Sequence, residues 1–560
     1  MKISRATCLG AMGVLFWAAT ACSEAHTVDE NGGPDADTDT DTDTDSDVDT
    51  DGDTDTDTDT DTDTDTDTEY TGPTIPPTCA DAALAMNSVG CDFYPVDLDN
   101  YQDPDYDVDS MTYAVVVSNP HADQDVVVTL DDGDGETLYE GTLEPGSLDV
   151  INVACESGCL TTPHEIDVQG IGDGTAFHLT SDYPILAYQW NPYGVGIEST
   201  DASLLLPVTS LGGTYIGAAW GQGPGYPELY TSNITVVATE DDTHVTITPS
   251  VNVPSLNGVG PFTAGVAGAP ITLDRFDVLV LSPAELNADL TGTFVEADKT
   301  VVVYGSHACA YVPAGTQACD HVEEQILPLE AWGTSTVLAR YAPREGCVSN
   351  PDDSVIWRVI AGAPNMTVTF DPPAPAPAGA EFAFTSQGQV LEFESGEDHV
   401  VTGTLNSPED PEHPEAPFFA YQMMTGCLYG MCTDTMGDPM MLQSPPAGNF
   451  LDHYVFTTDN LFDFDYDHII VVREAGTVVT LDCKGELSDD LFTPVGSSAW
   501  EVARIFIDNP AGDTGCVDGP HAIEATQPIG LSVVGTAYAN SYGYLGGVGV
   551  KPINPVPIIE

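Results

Sequence analysis

Beyond residue 92 the chain alternates apolar and polar positions, and it does so in four stretches that line up with one another. Met366, Val368 and Phe370 fall on one side and Thr367 and Thr369 on the other, as a half-buried antiparallel strand requires. Equivalent Thr-bearing runs stand at 126–129, 245–248, 366–369 and 477–480. A second strand is predicted after each, at 148–150, 276–278, 388–390 and 500–502, and a more apolar third at 184–190, 300–304, 417–423 and 528–533. Turn clusters such as 131–135 and 474–476 separate the runs. Helical periodicity is confined to the Ala-rich stretch 80–88, long enough for two turns.

Between units an Asp, a Pro and a bulky residue recur: Asp201, Pro207, Leu211; Asp320, Pro328, Trp332; Asp438, Pro446, Phe450. This segment reads as a connector, or as a strand donated to the next unit, and the fourth unit ends without it. A period of about 115 residues with seven or eight short strands fits a β-sandwich and is too long for a propeller blade. The expected fold is all-β: a tandem array of four β-sandwich (Ig-like) modules at 92–222, 223–342, 343–456 and 457–556, after a disordered Asp/Thr linker. A short Cys-bracketed segment, 79–91, precedes the first module.

The front of the chain has a different grammar. Lys2 and Arg5 precede the apolar run 9–19, and Ala19-Thr20-Ala21 stands directly before Cys22, which reads as a signal peptide over 1–21. A Cys at the first mature position predicts lipidation at Cys22, although Ala19 stands where lipoproteins usually carry Leu, which leaves a secreted form as the alternative. This start resembles that of bacterial lipoproteins, and in that class a Ser at the second mature position, here Ser23, implies the outer membrane rather than the inner one. From 35 to 67 every odd residue is Asp, so the segment 22–78 is expected to stay extended as an acidic spacer. No run after the signal is apolar enough to span a bilayer, which leaves the lipid as the sole membrane attachment.

Charge narrows the partners. With 11 basic and 90 acidic residues the net charge is −79, and setting aside the 17 spacer aspartates leaves −62 on the rest. Such a surface repels nucleic acid and anionic lipid headgroups. Calcium is the cofactor this composition would suit, but the loop-like Asp47-x-Asp49-x-Asp51-Gly52 has Thr58 where a bidentate Glu belongs, so no cofactor is assigned. The acidic runs 103–109 and 463–467, each before a predicted strand, are the better calcium candidates.

Thirteen Cys less Cys8 in the signal and Cys22 leave eleven in an oxidising setting, where pairing is the rule. Close spacing pairs Cys79 with Cys91, Cys155 with Cys159 and Cys309 with Cys319, and Cys483 with Cys516 further on, while Cys347, Cys427 and Cys432 compete for one bond. Zinc at Cys155-x3-Cys159 or Cys427-x4-Cys432 lacks a second ligand pair. Neither G-x-S-x-G nor H-E-x-x-H occurs, and Ser497 and Ser532 have no readable His partner. One constellation has geometry behind it: the Cys309–Cys319 bridge would draw His307, Asp320 and His321 together, with Glu323 in reach, either as a divalent metal site or as hydrogen-bond partners orienting the 328–332 connector.

The run from Asp298 through Val301-Val302-Val303-Tyr304-Gly305-Ser306-His307-Ala308-Cys309, then Val312-Pro313, Cys319-Asp320-His321-Val322-Glu323-Glu324-Gln325 and Trp332-Gly333, resembles the IgGFc-binding protein N-terminal domain. So do the residues from Asp201 to Pro207, and Ser541-Tyr542-Gly543-Tyr544-Leu545-Gly546-Gly547. The resemblance covers roughly residues 110–550; the third unit departs from it with insertions at 408–414 and 427–432. It implies an extracellular binding or adhesion domain, and bacterial members of the family look like surface lipoproteins. The expected function is a lipid-anchored, non-enzymatic binding protein at the cell surface, taking an extracellular protein or glycan. The alternatives are a self-associating component of the envelope or matrix and a metal-dependent enzyme using His307, Asp320 and His321.

Overall fold

The computed structural model describes residues 70–554 apart from 71, 103–106, 163–168, 173, 195–196, 222–229, 286, 317, 345, 407–414, 433–435, 459–465, 510–511 and 513. The signal segment 1–21, Cys22, the spacer up to residue 69, the 47–58 loop, the insertion 408–414 and parts of 103–109 and 463–467 therefore lie outside the described residues.

Within them the chain is nearly all β. The Thr-bearing runs form the strands Val126–Asp131, Thr243–Thr248, Met366–Asp371 and Val479–Leu481. Burial alternates along each, apolar side chains inward and Thr outward, as the period-two pattern dictates. The Ala-rich stretch makes the helix Cys79–Ala85, capped by the Thr78 hydroxyl, which accepts from the Asp81 N–H, and ended by Met86 in the left-handed region.

A long strand shared by two sheets is the unifying element. His178–Asn191 pairs over its first half with Gly90–Phe93 and Val126–Asp131, and over its second half with Tyr113–Ser118 and Asp201–Leu204. Phe294–Ala310 does the same with Gly212–Ile216 and Thr243–Thr248, then with Ser232–Ala238 and Asp320–Gln325. Pro520–Ala537 repeats the order with Leu451–Thr457 and Val479–Leu481, then with Tyr466–Glu474 and Asn540–Leu545. Between these last two the shared strand is split into His399–Leu405 and Phe418–Met423, and the insertion at 408–414 falls in the break.

The two sheets bury differently. Tyr113–Ser118, Ser232–Ala238 and Val355–Ala361 are buried at every position, because their sheets are covered on both faces, whereas the sheets holding the Thr-bearing strands keep one face to solvent. One continuous hydrophobic core runs from Val89 to Val550, with Trp190, Trp220, Trp332 and Trp357 fully enclosed.

Several sequence readings need adjusting. The Asp…Pro segment is the last strand of its own repeat, not a donated one: Leu204, Gln325 and Gln443 pair with Tyr188, Tyr304 and Tyr421 of the shared strand. Each Pro then caps a three-residue 3-10 turn: Val208–Ser210, Leu329–Ala331 and Ala447–Asn449. The fourth repeat has this strand too, Asn540–Leu545, with Tyr544 opposite Val533. Strands Gly212–Ile216, Ser335–Leu338 and Leu451–Thr457 pair forward, so the seams fall earlier than the boundaries at 222, 342 and 456. Gly90–Phe93 likewise runs across the boundary at 92.

Arginines clamp the seams. Arg358 lies over the Trp220 ring, 4.3 Å from its centroid, and bonds Asp289 at 2.6 Å, Glu392 at 2.8 Å and the Ala219 carbonyl at 2.9 Å. Arg504 joins the fourth repeat to the third, holding Asp398 at 2.5 Å and the Arg340 carbonyl at 2.9 Å, while Arg344 braces the third from within, holding Asp353 at 2.8 Å and reaching Thr425. These three guanidiniums are thus spent inside the fold. Finally, the ends of the folded part meet: Ser88 N–H donates to Val548 O at 2.9 Å, and Val550 N–H to Met86 O at 2.7 Å.

Candidate functional site

The last strands of the repeats, Asp201–Leu204, Asp320–Gln325, Met441–Ser444 and Asn540–Leu545, are buried throughout. Each touches the next and the fourth touches the first, so they close a ring around a common centre. One carboxylate ties all of them. Asp201 Oδ1 accepts from Ala202 N–H at 2.9 Å and Gly543 N–H at 3.1 Å, and Oδ2 from Met441 N–H at 3.0 Å and Glu323 N–H at 3.2 Å. Its own strand and the three others each supply one donor.

Further polar groups link neighbours. Gln325 N–H donates to Ser203 Oγ at 2.8 Å, His321 N–H to Ser199 Oγ at 3.0 Å, and Gln443 donates to both oxygens of Glu324 through its backbone N–H and its amide, at 3.1 and 2.9 Å. Burial pushes the carboxyl pKa of Asp201, Asp320, Glu323 and Glu324 well above the ordinary range, against the pull of these N–H donors, and raises Asp438 to about 7. His321 Nε2 lies 3.2 Å from Glu323 Oε2 with both side chains fully buried. Burial lowers the imidazole pKa to about 3 and raises the carboxyl, so the pair is neutral.

The sequence-selected cluster lies here, at the second-repeat part of the ring. His307 Nδ1 accepts from Cys309 N–H at 3.0 Å, while its Nε2 has no hydrogen-bond partner, and burial drops its pKa to about 3. Asp320 and His321 are fully enclosed. Reading the sequence missed Asp201, Glu324 and Asp438 as partners in one centre. Counted back from the Pro after each strand, Asp320 and Asp438 share their place with Ser199, and Asp201 stands two residues nearer the Pro.

The disulfides are Cys79–Cys91, Cys155–Cys159, Cys309–Cys319, Cys347–Cys432 and Cys483–Cys516. The three-way competition thus ends with Cys427 free and buried, its thiol pushed up to about 12 by burial and then by Asp438. Among the described residues, the sets of three or more His, Cys, Asp or Glu with ligand atoms within 4.8 Å of one another are Cys347, Asp353, Cys432 and Asp482, Cys483, His521. Both contain disulfide sulfurs, which offer no thiolate. His307, Asp320 and His321 do not form such a set. Ser395 Oγ and His399 Nε2 sit 2.8 Å apart, resembling a hydrolytic pair, but both are buried and His399 Nδ1 is taken by the Pro372 carbonyl, so they brace a turn.

On the surface near the ring, the loop around the Cys347–Cys432 bridge presents Val348, Leu428 and Met431, exposed by 79, 47 and 62%. Ser349 N–H bonds Gly430 O at 2.8 Å, which holds the two segments side by side. Tyr538, 60% exposed, belongs to a hairpin tip bridged to Met436. An open cleft of about 520 Å³ elsewhere is walled by Pro73, Ile75, Pro77 and Pro120 with His453 and Glu524 at its side. Among the described residues no helix is long and apolar enough to cross a membrane.

An all-β frame, stapled by disulfides and closed on a buried polar ring, defines a disulfide-bonded β-sheet scaffold. Residues 201–535, more than half of the chain, match the IgGFc binding protein family, and the chain belongs to that family. It is 25% identical over 424 residues to the human IgGFc-binding protein, an alignment covering 75% of this chain and 7% of that protein. This chain therefore corresponds to a small part of that relative's length. Two solved structures are aligned at 9% identity: a biofilm-associated protein BSP domain, covering 82% of this chain and 95% of that one at a TM-score of 0.13, and E. coli alpha-2-macroglobulin in its native conformation, covering 84 and 40% at 0.11. Scores of that size carry no structural argument.

Proposed function

We propose that this chain is a non-enzymatic binding protein held at the outer surface of a cell by a lipid on Cys22, with the acidic spacer carrying four sandwich modules away from the membrane. Family membership is the observation that carries the reading. The five disulfides suit an oxidising exterior, and the −79 charge suits a soluble, self-repelling surface rather than one that packs against its own copies.

The ligand is an extracellular protein or glycan, met by the braced loop bearing Val348, Leu428 and Met431 and by Tyr538. An exposed Tyr brings a large contact area at an interface and an exposed Met adapts its shape to a partner's surface, and here both stand on braced loops. The human relative's name makes the immunoglobulin Fc fragment the first defined probe and a glycan array the second. Saturable binding of either by the full chain, weakened at least tenfold by Met431→Ser with Tyr538→Ser, supports the reading. Binding unchanged in the double variant moves the interface elsewhere, and recovery of the mature chain in the cytosol with reduced thiols removes the proposal.

A further inference from the structure

Asp320 is fully buried, and neither of its carboxylate oxygens has a hydrogen-bond partner. The nearest donors, the Ser199 hydroxyl and the His321 N–H, favour its charged form but fall short of hydrogen-bond geometry. The Ser199 oxygen accepts from His321 N–H, and its proton goes to Asn100 Oδ1 at 3.1 Å. An enclosed carboxyl group without hydrogen bonds is among the costliest arrangements in a protein interior, and protonation alone leaves it with an unmatched donor and an unmatched acceptor.

Its surroundings are rich in oxygen, and the nearby guanidinium of Arg344 acts on Asp438. Asp438, from the following repeat, is the carboxylate that acts most strongly on Asp320, with Asp201 next. Asp201 is saturated by its four backbone donors. Arg344, the guanidinium on this side, is committed to both oxygens of Asp353. Residue 426 is glycine for a steric reason: a methyl there would lie 3.0 Å from Asp438 Oδ1, 3.4 Å from the Ala318 carbonyl and 3.5 Å from the Val312 carbonyl. Ala318, two residues before Asp320, has a φ of 64°, an uncommon backbone for a residue with a side chain. The loop ended by the Cys309–Cys319 bridge thus brings the Ala318 carbonyl beside Asp438, with Asp320 two residues further along the same segment.

We propose that a calcium-class divalent cation is held at this seam by the Asp320 and Asp438 carboxylates and the Ala318 carbonyl, with water completing its shell. Hard oxygen ligands from two carboxylates, a carbonyl and water are what calcium takes, and the ion would link the second and third repeats. Only two of the ligands are acidic side chains, in keeping with the lack of a three-residue acidic set here. The site stands independently of which partner the surface loops recognise.

The test uses the full chain, stripped with chelator and titrated with calcium chloride alone at constant ionic strength. Thermal unfolding and equilibrium dialysis are read for the parent, Asp320→Asn and Gly426→Ala. The expected result is a melting temperature several degrees higher with calcium than in chelator, and one tight equivalent above the weak binding of the spacer. That equivalent is lost in both variants while the weak binding remains. Equal melting of the parent in calcium and chelator, or titrations of the parent that show weak binding alone, overturns the proposal whether or not the variants fold. A tight equivalent that survives unchanged in a folded Asp320→Asn variant also overturns it.

Discussion

Replacing Asp201 with Asn keeps the side chain's size but turns one of its two oxygens into a donor facing backbone N–H groups. Whichever way the amide settles, two of the four N–H donors that converge on Asp201 lose their acceptor. At about 1–3 kcal/mol for each stranded donor, urea unfolding should show a loss of about 2–6 kcal/mol. Asp298→Asn is the control: Asp298 pairs with His244 at the exposed surface, where solvent screens the pair, and its replacement should move the urea midpoint far less. Such a role was not readable from the residues alone. A pattern that assigns Asp and Glu to solvent turns Asp320-His321-Val322-Glu323-Glu324-Gln325 into a polar connector, whereas every one of these side chains is enclosed. The recurring Asp and Pro were visible. What spacing hid was that Asp201 stands out of step with Asp320 and Asp438, which is why it can reach all four strands.

At the level of elements, the sequence was most legible where a sheet has one wet face. Thr367 and Thr369 between Met366, Val368 and Phe370 disclose both the strand and its orientation, because only one side has to be apolar. Strands such as Val355–Ala361, covered on both sides, have no alternation to read. Their neighbours come from other repeats, so their pairing and the true seams could not be placed by period alone. Disulfides supply a second test at this scale. The Cys347–Cys432 bridge spans 85 residues and the Cys155–Cys159 bridge spans 4. If the bridges act by restricting the unfolded chain, removing the first should cost about 4.6 kcal/mol and the second about 1.9 kcal/mol. Denaturant midpoints of the two paired Cys→Ser variants measure the difference, and equal losses would count against the entropic account. Cys427, left intact in both, sits beside the longer bridge and makes its oxidation state worth checking in the same samples.

For the molecule as a whole, the buried ring predicts an unusual response to pH. Glu323 and Glu324 keep their protons in the fold at pH values where the unfolded chain, with carboxyl pKa near about 4, has lost them. Since the folded state then binds more protons, stability falls as pH rises from about 4 through the raised folded values. His307 and His468 act in the opposite sense: each is held near 3 by burial, so the unfolded chain takes up their protons first as pH drops below about 6.5. Between about 4 and 6.5 the two trends oppose each other, and above that range the carboxyl trend runs alone. Above about 6.5 the histidine trend is complete, so any change in urea midpoint that remains into alkaline buffer, measured in chelator, should be a decline as the raised carboxyls ionise. A rise over that alkaline range would show that these carboxyls ionise at no cost inside the fold.

The hydrogen bonds from Ser88 to Val548 and from Val550 to Met86 have a consequence for engineering. Because those two stretches lie side by side, a few added residues could splice them, and new ends could be opened in the surface turn around Val266, which is well exposed. Such a circular permutant should reach the same structure, since neighbours in space are already joined by the ring rather than by their order along the gene.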